Sequence, residues 1–364
     1  MMMSPPDKFD DEAGVLAHWL AGHLAQAEDV ACQPLERTKL GMSNDTRIVD
    51  ATWTEGGQPR ARRFVLRCGS DSLPVHPLQT GAVPDSVALQ YRVMAALAVD
   101  GSIPIARLLP YEADRQWLGR PFFLMEHVPG WVPSDHPAYT EAGPFFDTAP
   151  DQRRSFIAEG LAMLARIHRV DWRKVDLGWL DRAPGNGPRM PAQIDLWRDY
   201  CRPILDGTPF PVLSRALDWL EANFPEEPPP SLVWGDARPQ NMIYDEMLRP
   251  RLVMDWEGAA IMPAEADIAY WVVNDRMVHE RLDRERLPGV PDRAEQYAIF
   301  SAQLGRPLID SGYYEIFASM TIAATMFNVL TALEKAGVDH GFGTPTGNYF
   351  SRTLDGFLAE RLDA

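Results

Sequence analysis

At 364 residues, with 46% hydrophobic and 24% charged side chains, the chain has the composition of a soluble globular protein and the length for two lobes or domains. Its formal net charge of −16 argues against a nucleic-acid partner, because phosphate-backbone affinity needs clustered Lys and Arg; it suits a cationic substrate or plain solubility. Three widely spaced cysteines, Cys32, Cys68 and Cys201, make no C-x-x-C pair, and the acidic start MMMSPPDKFDDE has no secretory pattern, so reduced thiols in a cytoplasmic protein are expected.

Residues 1–12 are expected to be a flexible terminus, and residues 15–27 have helical spacing. LERTKLGMSNDTRIVDATW and RRFVLRCG then read as strands, with Gly41, Met42, Ser43 and Asn44 in a turn between the first two. A glycine in such a tip lets backbone N–H groups approach a phosphate, although Gly and Asn also serve ordinary turns. The strand 64–67 ends in Arg67, and the following helix, 87–98, carries Gln90. IPIARLL and RPFFLMEHVPG, between Ile103 and Gly130, predict two further strands. A proline-bearing aperiodic stretch follows, then a helix over 156–170 with Ile157, Leu161, Leu164 and Ile167 on one face and His168 near its end. Helical segments over 194–204 and 213–223 carry Trp197, Tyr200 and Trp219, for which core packing is the default use. The longest apolar tract, 316–333, is interrupted by Ser319, Thr321, Thr325, Asn328 and Thr331, which predicts a buried helix and no membrane span.

The chemistry concentrates in LVWGDARPQNMIYD and LVMDWEGA. The pattern reads as strand, loop, strand, turn, strand, with Asp236 and Asn241 bracketing the loop and Asp255 after the last strand. A kinase catalytic loop sets its base Asp five residues before a metal-binding Asn, and a second metal-binding Asp follows. That chemistry needs an acceptor oxygen beside the attacking hydroxyl, and an amide oxygen and a carboxylate to hold Mg²⁺ against nucleotide phosphates. Asp255 alone would pass for a turn former; beside Asp236 and Asn241 it becomes a candidate ligand. Asp267 precedes an apolar helix and is read as its cap, and Glu257 is read either as reaching a metal at Asp255 through water or as only solvating the turn.

On W-G-D-x-R-x-x-N and the downstream D-W-E, the chain resembles the aminoglycoside phosphotransferase family of kinase-like small-molecule phosphotransferases. The branch is that of the kinase-like domain fused to some acyl-CoA dehydrogenases, and the resemblance covers residues 13–355. It implies an α+β, bilobal protein-kinase-like fold, with a small β-rich, nucleotide-binding N-lobe over 13–127 and a larger, mainly helical C-lobe over 128–364 for catalysis and the acceptor. It also implies that Asp236 is the catalytic base, that Asn241 and Asp255 bind Mg²⁺, and that Gly41, Ser43 and Asn44 cover the phosphates of ATP or GTP. Arg67 stands where kinases carry a phosphate-pairing Lys, and Gln90 where they carry the Glu that orients it. Glu126 and Val128 fall in the inter-lobe linker that meets adenine. Trp234 replaces the His of many members, so that residue's part in steadying the loop does not transfer.

The expected activity is transfer of a γ-phosphoryl group to a hydroxyl of a small-molecule acceptor, by a monomer or homodimer. A pseudoenzyme that binds a nucleotide or metabolite without transfer is the alternative, motivated by Arg67, Gln90 and Trp234. A metal-dependent hydrolase is weaker, since the chain has no H-E-x-x-H, Walker or G-x-S-x-G motif. For an aminoglycoside, the acidic candidates would be Asp195, Asp199 and Glu265.

Overall fold

An antiparallel sheet and a larger helical body face each other across a cleft in a computed structural model that describes residues 11–37, 45–69, 75–183, 185, 187–280, 285–339 and 341–362. Helix α1 (Glu12–His23) leads into β1 (Ala27–Cys32), β2 (Glu36–Arg37), β3 (Asp45–Glu55) and β4 (Gln58–Cys68). Helix α2 (Ser86–Asp100) crosses to β5 (Phe122–Glu126), and the strand order is β1-β3-β4-β5 with β2 also on β3.

Gly56 and Gly57, at φ +56° and +75°, close the β3–β4 hairpin in two residues, and that fixes its register. With a side-chain period of two, Val49, Ala51, Trp53, Phe64 and Leu66 fall on the face covered by Leu16, Trp19 and Leu20 of α1. The opposite face presents Thr46 and Ile48 opposite Arg67 and Val65, and these line the cleft. Helix α2 is bounded by Asp85, whose side chain accepts from the Ala88 N–H at 2.8 Å, and by Gly101 in the left-handed conformation.

Next come α3 (Pro144–Asp147), α4 (Pro150–His168), α5 (Met190–Gly207) and α6 (Pro211–Ala222). Short strands β6 (Ser231–Val233), β7 (Met242–Tyr244), β8 (Pro250–Val253) and β9 (Ala260–Met262) pair as β6 with β9 and β7 with β8. Helices α7 (Glu265–Glu280), α8 (Arg293–Leu304), α9 (Ser311–Lys335) and α10 (Tyr349–Leu362) complete the body. Helix α9 is apolar and long enough to cross a membrane, yet it packs in the core against α6, α7 and α10.

Three expectations differ from the structure. The first helix ends at His23, and Ala27 opens a strand, because Gln26 turns the chain at φ +56°. Residues 103–109 form no strand; they follow β5 through single bonds such as Leu109 N–H to Leu124 O at 2.8 Å. Helix α4 starts at Pro150, six residues early, with proline in its first turn, where a missing N–H costs nothing. Gly41, Ser43 and Asn44 lie outside the described residues.

Candidate active site

The cleft encloses a cavity of about 730 Å³ that brings together Arg67, Gln90, Glu126, Val128, Asp236, Asn241 and Asp255. Its apolar part is lined by Ile48, Val65 and Met125 from the sheet and by Ile243, Leu252 and Met254 from the helical body. Val128 also lines this part. The neighbouring Glu126 uses its carboxylate on Arg62 and Arg107, and its N–H on Arg107 O at 2.8 Å.

Asp236 follows β6 in a loop that only glycine can enter. Gly235 sits at φ +88°, and a Cβ there would strike the Gly258 carbonyl. The Asp267 carboxylate holds this turn from α7, accepting from the N–H groups of Trp234 at 2.7 Å and Gly235 at 2.9 Å. Asp267 therefore braces the loop rather than capping its own helix. His168 Nδ1 lies 2.9 Å from Leu232 O, and its Nε2 lies 3.5 Å from Asp267. Burial pushes the His168 imidazole down to about 3, so it is neutral, and pushes the Asp267 carboxyl up to about 7.

Asn241 Nδ2 donates to Asp236 Oδ2 at 2.7 Å and to its backbone oxygen at 3.0 Å. Burial tends to raise the Asp236 carboxyl, but Arg238, His76 and hydrogen bonds from Tyr270 and Asn241 outweigh it, and the group stays below the ordinary carboxylate range. It is thus ionised, as a proton acceptor must be. Arg238 Nε stands 3.1 Å from Asp236 Oδ1, and its Nη1 reaches Asp135 at 3.1 Å.

The Met254 N–H donates to Asn241 O at 2.9 Å, and Trp234 Nε1 donates to Met254 O at 2.8 Å. The indole thus steadies the segment that carries Asp255, which itself sits at φ +57°. Asp255 Oδ1 accepts from Arg67 Nη2 at 3.0 Å and from Gln90 Nε2 at 3.1 Å; Arg67 Nε donates to Gln90 Oε1 at 3.1 Å, and Nη1 to Thr46 Oγ1 at 2.6 Å. Gln90 bridges the basic residue and the acidic one.

Residues 38–298 match the phosphotransferase enzyme family (APH). The chain belongs to that family. It is 27% identical over 278 residues to acyl-CoA dehydrogenase family member 10 of Mus musculus, a match covering 73% of this chain and 25% of that protein. The phosphotransferase thus spans about a quarter of that relative's length. A putative aminoglycoside phosphotransferase from Ralstonia eutropha JMP134 superposes with a TM-score of 0.69 at 22% identity, over 96% of this chain and 98% of that one. An ethanolamine kinase of Plasmodium vivax gives 0.59 at 12% identity, over 98% and 90%. These neighbours share the kinase-like bilobal α+β fold with this chain.

Sequence reasoning missed Arg238, although a cation two residues after the loop Asp was in plain view. It also missed Tyr270, whose approach to Asp236 depends on how α7 packs. Trp197 and Tyr200 are tied into the body, Tyr200 through Val75 O at 2.7 Å, and Trp219 packs beside Tyr313; none of the three lines the main cavity.

Proposed function

We propose that this phosphotransferase moves the γ-phosphoryl group of ATP or GTP to a hydroxyl of a small molecule, with Asp236 as base. The observation that carries this reading is the Asp236 carboxyl group, oriented by Asn241, in one cavity with Arg67 and Asp255. The acceptor's O–H proton passes to Asp236 as its oxygen bonds to the γ-phosphorus; the bond to the β-phosphate oxygen breaks, and the nucleoside diphosphate leaves. Arg67 has N–H groups left beyond its three contacts to meet phosphate oxygens, and Arg238 faces the same space. The apolar part by Val128 takes the base.

The donor set fits Mg²⁺. Asn241 commits its amide nitrogen to Asp236, which leaves its carbonyl oxygen, and Asp255 commits Oδ1, which leaves Oδ2; hard oxygens that few in number suit an ion completed by phosphates and water. When bound, the ion neutralises charge on the phosphate oxygens.

The cavity wall supports an acceptor with an apolar face, because α9 supplies Ile322, Met326, Val329 and Leu330. The three acids expected for a polyamine do not line the cavity: Asp195 and Asp199 are exposed on α5, and Glu265 is spent on Arg306. The test is release of nucleoside diphosphate with a panel of hydroxylated compounds and a mass gain on one of them. Asp236→Ala should lower turnover roughly 10²–10⁴-fold, the usual worth of a positioned base, with nucleotide affinity little changed. Near-normal transfer by that variant would refute the assignment.

A further inference from the structure

Buried polar atoms without a partner are rare in folded proteins, and a group of them on a cavity wall marks where a ligand's polar atoms belong. Among the described residues, four that line this cavity carry such an atom: Asp236 Oδ1, Arg238 Nε, Gln240 Oε1 and Asn274 Oδ1. The first two face each other and belong to the transfer chemistry. The other two remain unexplained.

Gln240 lies in the same loop as Asp236, and its orientation is fixed. Its Nε2 donates to Asp135 Oδ1 at 3.0 Å, and Oε1 is the end left without a partner. Asn274 lies one helical turn beyond Tyr270, on the same face of α7, and Tyr270 is hydrogen-bonded to Asp236. Asn274 Oδ1 has no hydrogen-bond partner among the described residues, and a carboxamide can both accept and donate. A hydroxyl also does both.

We propose that Gln240 and Asn274 form a specificity pair for a second hydroxyl on the acceptor, next to the hydroxyl that Asp236 addresses. The acceptor class is then a diol with an apolar flank rather than a simple alcohol. This rests on the phosphotransfer reading for which hydroxyl reacts, and the polar pair supplies the choice among alcohols. A site built to hydrogen-bond a hydroxyl rejects the analogue that lacks it, because its own buried groups are then left unpaired.

The test is calorimetric titration of the full chain with 1,2-octanediol, 1-octanol and 1-methoxy-2-octanol, the last keeping the second oxygen without its proton. The expected result is a Kd for the diol at least tenfold below both others. Gln240→Leu and Asn274→Leu should each bring the diol close to 1-octanol; with the hydroxyl's one proton on Gln240 Oε1, the amide at 274 must donate to its oxygen, so Asn274→Asp, which cannot donate, should lose the preference as well. Equal affinity for diol and 1-octanol in the unaltered protein, or no binding of either, overturns the proposal whatever the variants do. Binding is read without turnover, so a diol preference without phosphorylation would sink the transfer reading alone; phosphorylation of 1-octanol as readily as the diol would sink the specificity pair alone.

Discussion

Gln90→Glu restores the acid that kinases usually carry at this place, and the geometry says it should harm this protein. Gln90 accepts from Arg67 with one end and donates to Asp255 with the other, at 3.1 Å each. A glutamate keeps the first contact and sets two carboxylates about as close as the second. At an effective dielectric near 20, unit charges about 3 Å apart interact by about 5 kcal/mol, so the new attraction to Arg67 and the new repulsion from Asp255 nearly cancel. What remains is the lost hydrogen bond to an ionised group, about 1.5–3 kcal/mol. The sign depends on pH. Crowded carboxylates raise one pKa, and the introduced glutamate, once protonated, can again donate to Asp255. The folded variant then holds a proton that the unfolded chain releases near the ordinary glutamate value, so its stability falls as pH rises through the raised folded value. Urea midpoints should show a small deficit against the unaltered protein at pH 5 and a larger one at pH 8, with weaker Mg²⁺-dependent nucleotide binding at pH 8. A deficit that is constant across this range, or a variant more stable at pH 8, would refute the bridging role of Gln90.

Trp234→Phe removes the donor to Met254 O from a fully buried position. An unpaired carbonyl costs about 1–3 kcal/mol and the void about 1 kcal/mol more, so the urea midpoint should fall and the Mg²⁺-nucleotide KM should rise, since Asp255 is the next residue. For Asp267, burial holds the folded carboxyl at about 7, above its unfolded value, so its contribution to stability is greatest below the ordinary carboxylate range and is lost as pH rises to about 7. Asp267→Asn should flatten that part of the stability–pH curve measured by urea unfolding, while lowering turnover because an amide cannot accept from both loop N–H groups. Gly235→Ala puts a methyl group against the Gly258 carbonyl in a left-handed conformation, and should abolish turnover and lower the melting temperature; an active, stable variant would contradict the tight β6–β9 approach.

The strand that ends in Arg67 was legible from its apolar run, whereas the Gly56–Gly57 turn that sets its register was passed over; the loop of Asp236 and Asn241 was legible because local spacing constrains it. The segment 103–109 was misread for a physical reason. Its apolar run is buried between β5 and β8, with Val253 N–H on Pro104 O at 3.1 Å, and periodicity reports burial without reporting the pairing partner. The roles of Asp267 and Trp234 were illegible for a different reason. Each acts on backbone groups 20 or more residues away, and those distances close only once α7 and the β7–β8 hairpin are packed.

The same long-range contacts bear on the choice between a transferase and a binding-only relative. Arg67, Gln90 and Trp234 each depart from the usual kinase residue, and counted separately they suggest decay. In the structure they form a connected set: Trp234 holds the Met254 carbonyl, Met254 N–H ties Asn241 to the residue before Asp255, and Asp255 is gripped by Arg67 and Gln90. An arginine needs a neutral bridging partner more than a lysine does, because its fork reaches Asp255 directly and an acid at position 90 would compete for it. Random loss would leave unpaired buried groups around these three positions, and among the described residues their side chains are all hydrogen-bonded. On the cavity wall, the described side chains that keep an unpartnered oxygen and no facing counter-charge are Gln240 and Asn274, where the proposed acceptor would complete the network.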